Sequence, residues 1–402
     1  MTAIPPGTSS PRTAVLALGT FAVGTSGYVV AGLLPALTGE LHISNAAAAQ
    51  LVTAFAIAYA LGSPLFAAVT GRWERRSLLT AALVVTALGN ALAALAPGYV
   101  TLLLARIVTA VGAAVFTPAA SAVAAQLTTP ERRGRAVALV FGGLTIATIL
   151  GVPLGSLLSQ GLGYHAVFGL VAAFSLLGAV AVRLLLPRVT PPPPVSLAER
   201  FRVAKDPRVL AMLGATTLGC LAAFSVYTFI APVLGATAGV HGTTVSVLLF
   251  CYGAGGAIGN VLGGRVTDRW GSKRPLLAVY VGITAALALL PLVATSVVGA
   301  GVILFAWGLC TWAFNPPIQH RLIELAPAHS GLVLSLNASA IYLGVGLSGL
   351  VGGFVLDHGG PSMLPEVAAM LTALGAAVVV FGWRARAAAT RNEVPEPATV
   401  DA

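Results

Sequence analysis

One arginine, Arg106, sits inside a long apolar run, Tyr99 to Leu127. A guanidinium at that depth costs about 3 kcal/mol on insertion scales unless something solvates or pairs it. It therefore either meets a polar or charged solute or stretches to the nearest polar surface, roughly 9 Å away at about 1.5 Å per residue. Other apolar runs carry neutral groups capable of recognition: Tyr28, Gln50, Tyr59, Tyr227, Tyr252, Asn260, Trp307, Trp312, Asn315, Asn337 and Tyr342. Taken singly, each also fits an interfacial belt or a helix–helix hydrogen bond. Together they suit a pocket for a small amphiphilic organic molecule better than one for an inorganic ion. Tyr28, Gln50, Arg106, Trp312, Asn315 and Asn337 are the candidate substrate-binding residues. No convergent nucleophile or metal set accompanies them. His320 and Glu324 have i, i+4 spacing, but two ligands make a poor metal site. All twelve acids and all six histidines fall in or beside polar connections, so no catalytic residue, metal or bound cofactor is expected, and the protein is not expected to be an enzyme. The three cysteines, Cys220, Cys251 and Cys310, lie within apolar runs, where thiols usually act as small hydrophobes.

The elements that must hold these groups follow from composition. Of 402 residues, 57% are hydrophobic and 8% charged, against about a quarter charged in soluble domains. Most of the surface must therefore face lipid. Twelve apolar runs, each near the roughly 20 residues that cross a bilayer core, are predicted at 13–37, 46–70, 77–97, 99–127, 136–159, 166–186, 208–234, 243–266, 275–296, 298–319, 331–355 and 364–383. The first is too long for an ordinary cleaved leader and is expected to be a retained span.

Every second connection is basic. Arg72, Arg75 and Arg76 follow the second run, Arg132, Arg133 and Arg135 the fourth, and Arg265, Arg269, Lys273 and Arg274 the eighth, while odd-numbered connections contain no Lys or Arg. The positive-inside rule then puts both termini in the cytoplasm and accounts for nearly all of the net charge of +10 without any nucleic-acid partner. A polar stretch with four prolines, Pro191–Pro194, divides the runs six and six. The expected domains are 1–186, a cytoplasmic linker 187–207, and 208–402. The halves also repeat: Pro35 and Pro232, Arg72 and Arg269, Trp73 and Trp270, and Pro130 and Pro327 all stand 197 residues apart. Two like-oriented halves favour a solute path between them.

Residues 263–274, GGRVTDRWGSKR, resemble the signature loop of the major facilitator superfamily, and Thr70–Arg76 is similar but has Gly71 where an acid is usual. The resemblance implies that Arg72, Asp268 and Arg269 act in a conformational gate, with Asp268 linking neighbouring helices by charge. Arg106, in LARIVTAVG, looks like the family's fourth-helix arginine. Gly151, Pro153 and Gly155 are similar to the glycine–proline motif that marks its antiporters, and are assigned to the gate as well. GLLP at 32–35, GLCTWAFNPP at 308–317 and LNASA at 336–340 resemble the twelve-span drug and sugar efflux transporters.

The implied fold is all-α, with twelve transmembrane helices in two six-helix parallel repeats. The implied activity is export of a drug-like compound by alternating access, driven by the proton gradient, from a monomer in the bacterial plasma membrane. Efflux members commonly carry an acid in the first span; here Gly24–Val29 has none. Proton coupling would then use edge carboxylates such as Asp206, Asp268 or Glu366, or the substrate would itself carry the proton. The alternative is an uncoupled or proton-symporting carrier of a sugar-like or anionic metabolite, with Arg106 receiving the anion. No P-loop appears that would indicate a primary pump.

Overall fold

The computed structural model describes residues 11–128, 133–191, 205–327 and 330–392. The linker's residues 192–204, the repeat partner Pro130, and Arg132 lie outside them. Among the described residues the chain forms helices and no strand. The first half holds α1 (Pro11–Leu41), α2 (Asn45–Val69), α3 (Arg75–Ala94), α4 (Tyr99–Gln126), α5 (Arg133–Ile146) and α6 (Val152–Leu185). The second half holds α7 (Pro207–Thr228), α8 (Ile230–Ala238), α9 (Thr243–Trp270), α10 (Lys273–Val293), α11 (Val297–Ala313), α12 (Asn315–Leu325), α13 (Ser330–Gly359) and α14 (Met363–Asn392).

Among the described residues, eleven stretches are long and apolar enough to cross a membrane. One of them, Leu139–Leu185, has 47 residues, about 70 Å of helix and more than two bilayer cores. Gly163 splits it into two passes, at a φ of 73° that side-chain-bearing residues rarely adopt. The backbone N–H of Tyr164 just beyond donates to the Glu40 carboxylate at 3.3 Å. The twelve expected runs are thus all helical.

Three passes depart from regular helix, each with a local cause or marker. A π-helical turn, Ala147–Gly151, precedes Pro153. A proline has no N–H and clashes with the carbonyl four residues back, and the wider turn makes room for it. Phe229 interrupts the seventh pass between α7 and α8. In the tenth pass α11 ends at Ala313 and α12 restarts at Asn315, where Pro316 and Pro317 follow.

The two halves touch mainly along α2 with α13, and along α9 with the π turn and α6. Small residues set that approach. A Cβ at Gly346, Gly349 or Gly353 of α13 would run into Ile57, Thr53 and Ala49, or Ala46 of α2. A Cβ at Gly253 of α9 would lie 2.6 Å from the Ile149 backbone. Hydrogen bonds cross at the same level: Thr53 Oγ1 donates to the Gly346 carbonyl at 2.8 Å, and Ser246 Oγ to Ser156 Oγ at 3.0 Å. Gln160 joins Ser246 and Thr243 beside them. All of these residues lie in the half of their helices remote from the arginine-rich connections. Toward the basic end, Leu61 and Leu65 of α2 and Ile258 and Leu262 of α9 are exposed.

Candidate functional site

Arg106 is fully buried in α4. It does not stretch toward a surface. Its Nη1 donates to the Ser26 carbonyl at 2.7 Å, Nη2 to that of Gly27 at 3.4 Å, and Nε to that of Leu51 at 3.5 Å. Its Cζ stands 4.4 Å from the centre of the Phe55 ring and 5.9 Å from that of Phe168. No carboxylate pairs with it among the described residues. Carbonyl dipoles and ring faces solvate the cation without neutralising it, a cation–π arrangement worth about 2 kcal/mol when desolvated. Ser26 extends the network, donating from Oγ to Asn90 Oδ1 at 3.0 Å, and Asn90 bonds back to the Thr86 carbonyl at 2.8 Å.

Phe55 connects this centre to the other half. Its ring lies 6.2 Å from Tyr342 of α13, and Tyr342 stacks on Tyr59 of α2 at 3.6 Å. Tyr28 of α1 stacks on Phe224 of α7 at 5.5 Å. From Phe224 the rings continue through Tyr227 and Tyr252 to Trp307, at 5.8, 4.9 and 4.8 Å. Two aromatic groups therefore cross between the halves, Phe55–Tyr59–Tyr342 and Tyr28–Phe224, and the second runs on into the second half through Tyr227, Tyr252 and Trp307; together they form an aromatic seam. Oη of Tyr227, Nε1 of Trp307 and Oγ of Ser339 are buried with no hydrogen-bond partner. The other hydroxyls and the Trp312 indole meet only each other or a neighbouring hydroxyl: Tyr342 with Tyr28, Tyr59 with Thr117, and Trp312 and Thr311 with Tyr252. Buried polar groups are nearly always bonded, so a cluster of orphans at one place marks where water or a ligand belongs.

Of the candidate substrate residues, Tyr28 lies in this seam, and Trp312 joins it beside Gly256, its indole meeting Tyr252. Asn315 opens α12 at the helix break and is half-buried. Asn337 is buried elsewhere in the second half, accepting from Thr216 Oγ1 at 2.9 Å, which ties α13 to α7. Gln50 is not brought to the centre: it is exposed near the start of α2 and accepts from Tyr99 Oη at 2.9 Å. Phe55 and Phe224 were missed because a phenylalanine in an apolar run looks like any lipid-facing residue. One signal was present, since Phe55 and the recognised Tyr252 stand 197 residues apart.

Comparison with known proteins settles the family. The sequence model of the Major Facilitator Superfamily matches residues 16–344 and 212–400. The chain belongs to the major facilitator superfamily. It is 34% identical over 370 residues to the MFS-type transporter YbcL of Bacillus subtilis, covering 91% of this chain and 95% of the relative. It is likewise 34% identical over 372 residues to the inner membrane transport protein YdhP of Escherichia coli K12, covering 92% and 95%. A chloramphenicol resistance protein of Streptomyces lividans is 32% identical over 381 residues, again covering 92% and 95%.

The superfamily's two signature loops are held differently here from what the resemblance implied. Asp268 is exposed and makes no ion pair among the described residues, so it links no helices in this conformation. Arg72 is exposed as well, and Arg269 only leans over the Trp270 ring at 6.0 Å. Two other acids make the ties. Glu74 caps α3, accepting from the N–H groups of Arg76 and Ser77 at 2.9 Å and of Val189 at 3.0 Å. Desolvation works against its charge, but those N–H groups and the Ser77 hydroxyl outweigh it and hold the carboxyl at about 2. Glu324 accepts from Arg321 Nη1 at 2.9 Å and Ser272 Oγ at 3.1 Å, joining α12 to the start of α10, and meets His320 Nδ1 at 3.2 Å. No group of three or more potential metal ligands occurs among the described residues.

The glycine–proline segment packs inside the first half. A Cβ at Gly151 would meet Thr25, and one at Gly155 would lie 2.5 Å from Val29 Cγ2, so both let the fifth pass press against α1. Pro153 follows the π turn. Its neighbours Thr148 and Ile149 are the ones facing Gly253 of the opposite half.

Proposed function

We propose that this superfamily member exports a small amphiphilic, drug-like organic compound by alternating access, working as a monomer in the bacterial plasma membrane with its basic connections and both termini in the cytoplasm. The observation that carries this reading is the aromatic seam shared by the two halves, in which buried donors and hydroxyls lack partners. The inter-half contacts at the end remote from the basic connections then correspond to a carrier closed to the outside. Opening of that end would require α13 to lift from α2, and α9 from the fifth pass. Arg72, Asp268, Arg269, Gly151, Pro153 and Gly155 are proposed to act in that exchange.

Proton antiport is the proposed drive, with no resident cofactor. The chloramphenicol resistance of one relative supports a neutral drug as a first cargo to try. The test is uptake of chloramphenicol into proteoliposomes with and without an imposed pH gradient. Accumulation against its concentration only with the gradient is expected. Downhill flux alone would replace antiport by uncoupled carriage, the second reading, which the lack of a carboxylate beside Arg106 favours. Flux of organic anions or sugars but not of drugs would overturn the export reading.

A further inference from the structure

The chemistry of the seam narrows the cargo further. We infer that the transported compound is an uncharged aromatic molecule rich in hydrogen-bond acceptors, and that lipophilic cations are rejected; this rests on the export reading above. The orphaned groups are biased toward donation. The indole N–H of Trp307 can only donate, and it is buried without an acceptor. The hydroxyls of Tyr59, Tyr227 and Tyr342 can donate or accept. A cargo seated against such groups must bring its own acceptors to avoid leaving them unpaired.

Charge points the same way. Every acid among the described residues is exposed or half-buried, so none stands in the seam to receive a cation. Arg106 does stand close by: its guanidinium lies on Phe55, Phe55 touches Tyr342, and a Cβ at Gly27, whose carbonyl binds Arg106, would come 3.9 Å from Tyr342 Oη. Arginine stays protonated, and its carbonyl partners carry no net charge to cancel it. A second cation brought to Tyr342 would be repelled with no counter-ion and little water between. Ring faces also attract cations, but beside Arg106 one face of each ring is already covered: Arg106 lies over Phe55, Tyr59 and Tyr342 stack on each other, and Tyr28 stacks on Phe224.

The test uses the purified full-length protein in lipid nanodiscs. Binding of two neutral acceptor-bearing aromatics, chloramphenicol and benzanilide, is compared with that of two lipophilic cations, tetraphenylphosphonium and ethidium. The expected result is at least about tenfold tighter binding of the tighter neutral probe than of either cation. Cations that bind within about threefold of it, or no difference because neither class binds, would overturn the inference. Trp307→Phe keeps a ring and removes one donor, and is expected to weaken neutral binding about three- to tenfold while leaving cation binding unchanged. An unchanged neutral affinity would defeat the donor argument, and Tyr342→Phe supplies the same comparison if Trp307→Phe fails to fold. Failure of this inference is separable from failure of the export reading. Gradient-driven flux of cations and neutrals alike would sink the charge preference and leave export standing. Selective neutral binding without any flux would do the reverse.

Discussion

The two halves share a fold and differ in what fills it. At positions 197 residues apart, the first half has Ser26, Asn90 and Arg106 where the second has Ala223, Leu287 and Ile303, all buried. The polar set of the first half is fully bonded, and its charge is fixed to the carbonyls of α1 and α2. Both halves pack helix backbones closely at glycines, in the first half at Gly89, Gly112 and Gly143, but the second half has no such polar network at the equivalent positions. A Cβ at Gly255, Gly259 or Gly263 of α9 would strike the backbone of α11. Both halves keep unpaired buried polar atoms, Thr25, Ser63 and Thr117 among them in the first and Tyr227 and Trp307 in the second. What divides them is the buried charge, which only the first half anchors.

That division can be tested by making each half imitate the other. The largest effect is expected from Ile303→Arg, which places a cation where no polar network awaits it. An uncompensated buried charge costs several kcal/mol, and no folded protein should be recovered on size-exclusion chromatography. Normal yield would show that the second half can solvate a charge as the first does. The reverse change, Arg106→Ile, removes charge-assisted bonds and ring contacts together. It should lower unfolding stability by about 3 kcal/mol, read as a fall in Tm, and a Tm within a degree of the parent would deny Arg106 its anchoring role.

The seam offers a smaller, conformational effect. Gly349→Val, which collides with Thr53 and Ala49, should pry α13 from α2 and expose a cysteine placed at Ala49 to a membrane-impermeant thiol reagent. Gly214→Val, with nothing within 4 Å of a Cβ, is the control, and equal labelling in both would refute the packing argument. Smallest is Glu74→Gln, a cap change of about 1 kcal/mol. Because folding lowers the Glu74 pKa to about 2 from an ordinary 4.5, its contribution is complete above the ordinary value and is lost as pH falls through about 2. Parent and variant should differ in Tm at pH 7 and converge progressively as the pH falls from 4.5 to about 2; a difference undiminished at the lower value would mean that the carboxylate charge is not what caps α3.

Much of the fold was legible because span length and the placement of basic connections are coarse properties of composition. The breaks were less so. Pro153, Pro316 and Pro317 announce irregular helix, yet nothing in the residue types says that the first is met by a π turn and the others by a restart. Arg106 stood out because a charge in an apolar run is rare, but its partners are backbone carbonyls, which have no residue identity to read. Gln50 and Asn337 misled for a related reason: a neutral polar residue in a span has the same composition whether it faces the centre, as Tyr28 does, or bonds to a neighbouring helix. Glu74 and Glu324, rather than Asp268, make the ties near the basic end, a choice decided by chain geometry that no spacing rule encodes.

A buried arginine without a counter-ion also couples the protein to the membrane voltage. Moving one elementary charge through the whole potential is worth about 2.3 kcal/mol per 100 mV. Arg106 is locked to α1 and α2, so any rocking of the first half carries that charge along the field by the distance the half moves. Under the alternating access proposed above, a displacement of Arg106 along the field would give the carrier an orientation bias set by the cell's potential even when its cargo is neutral.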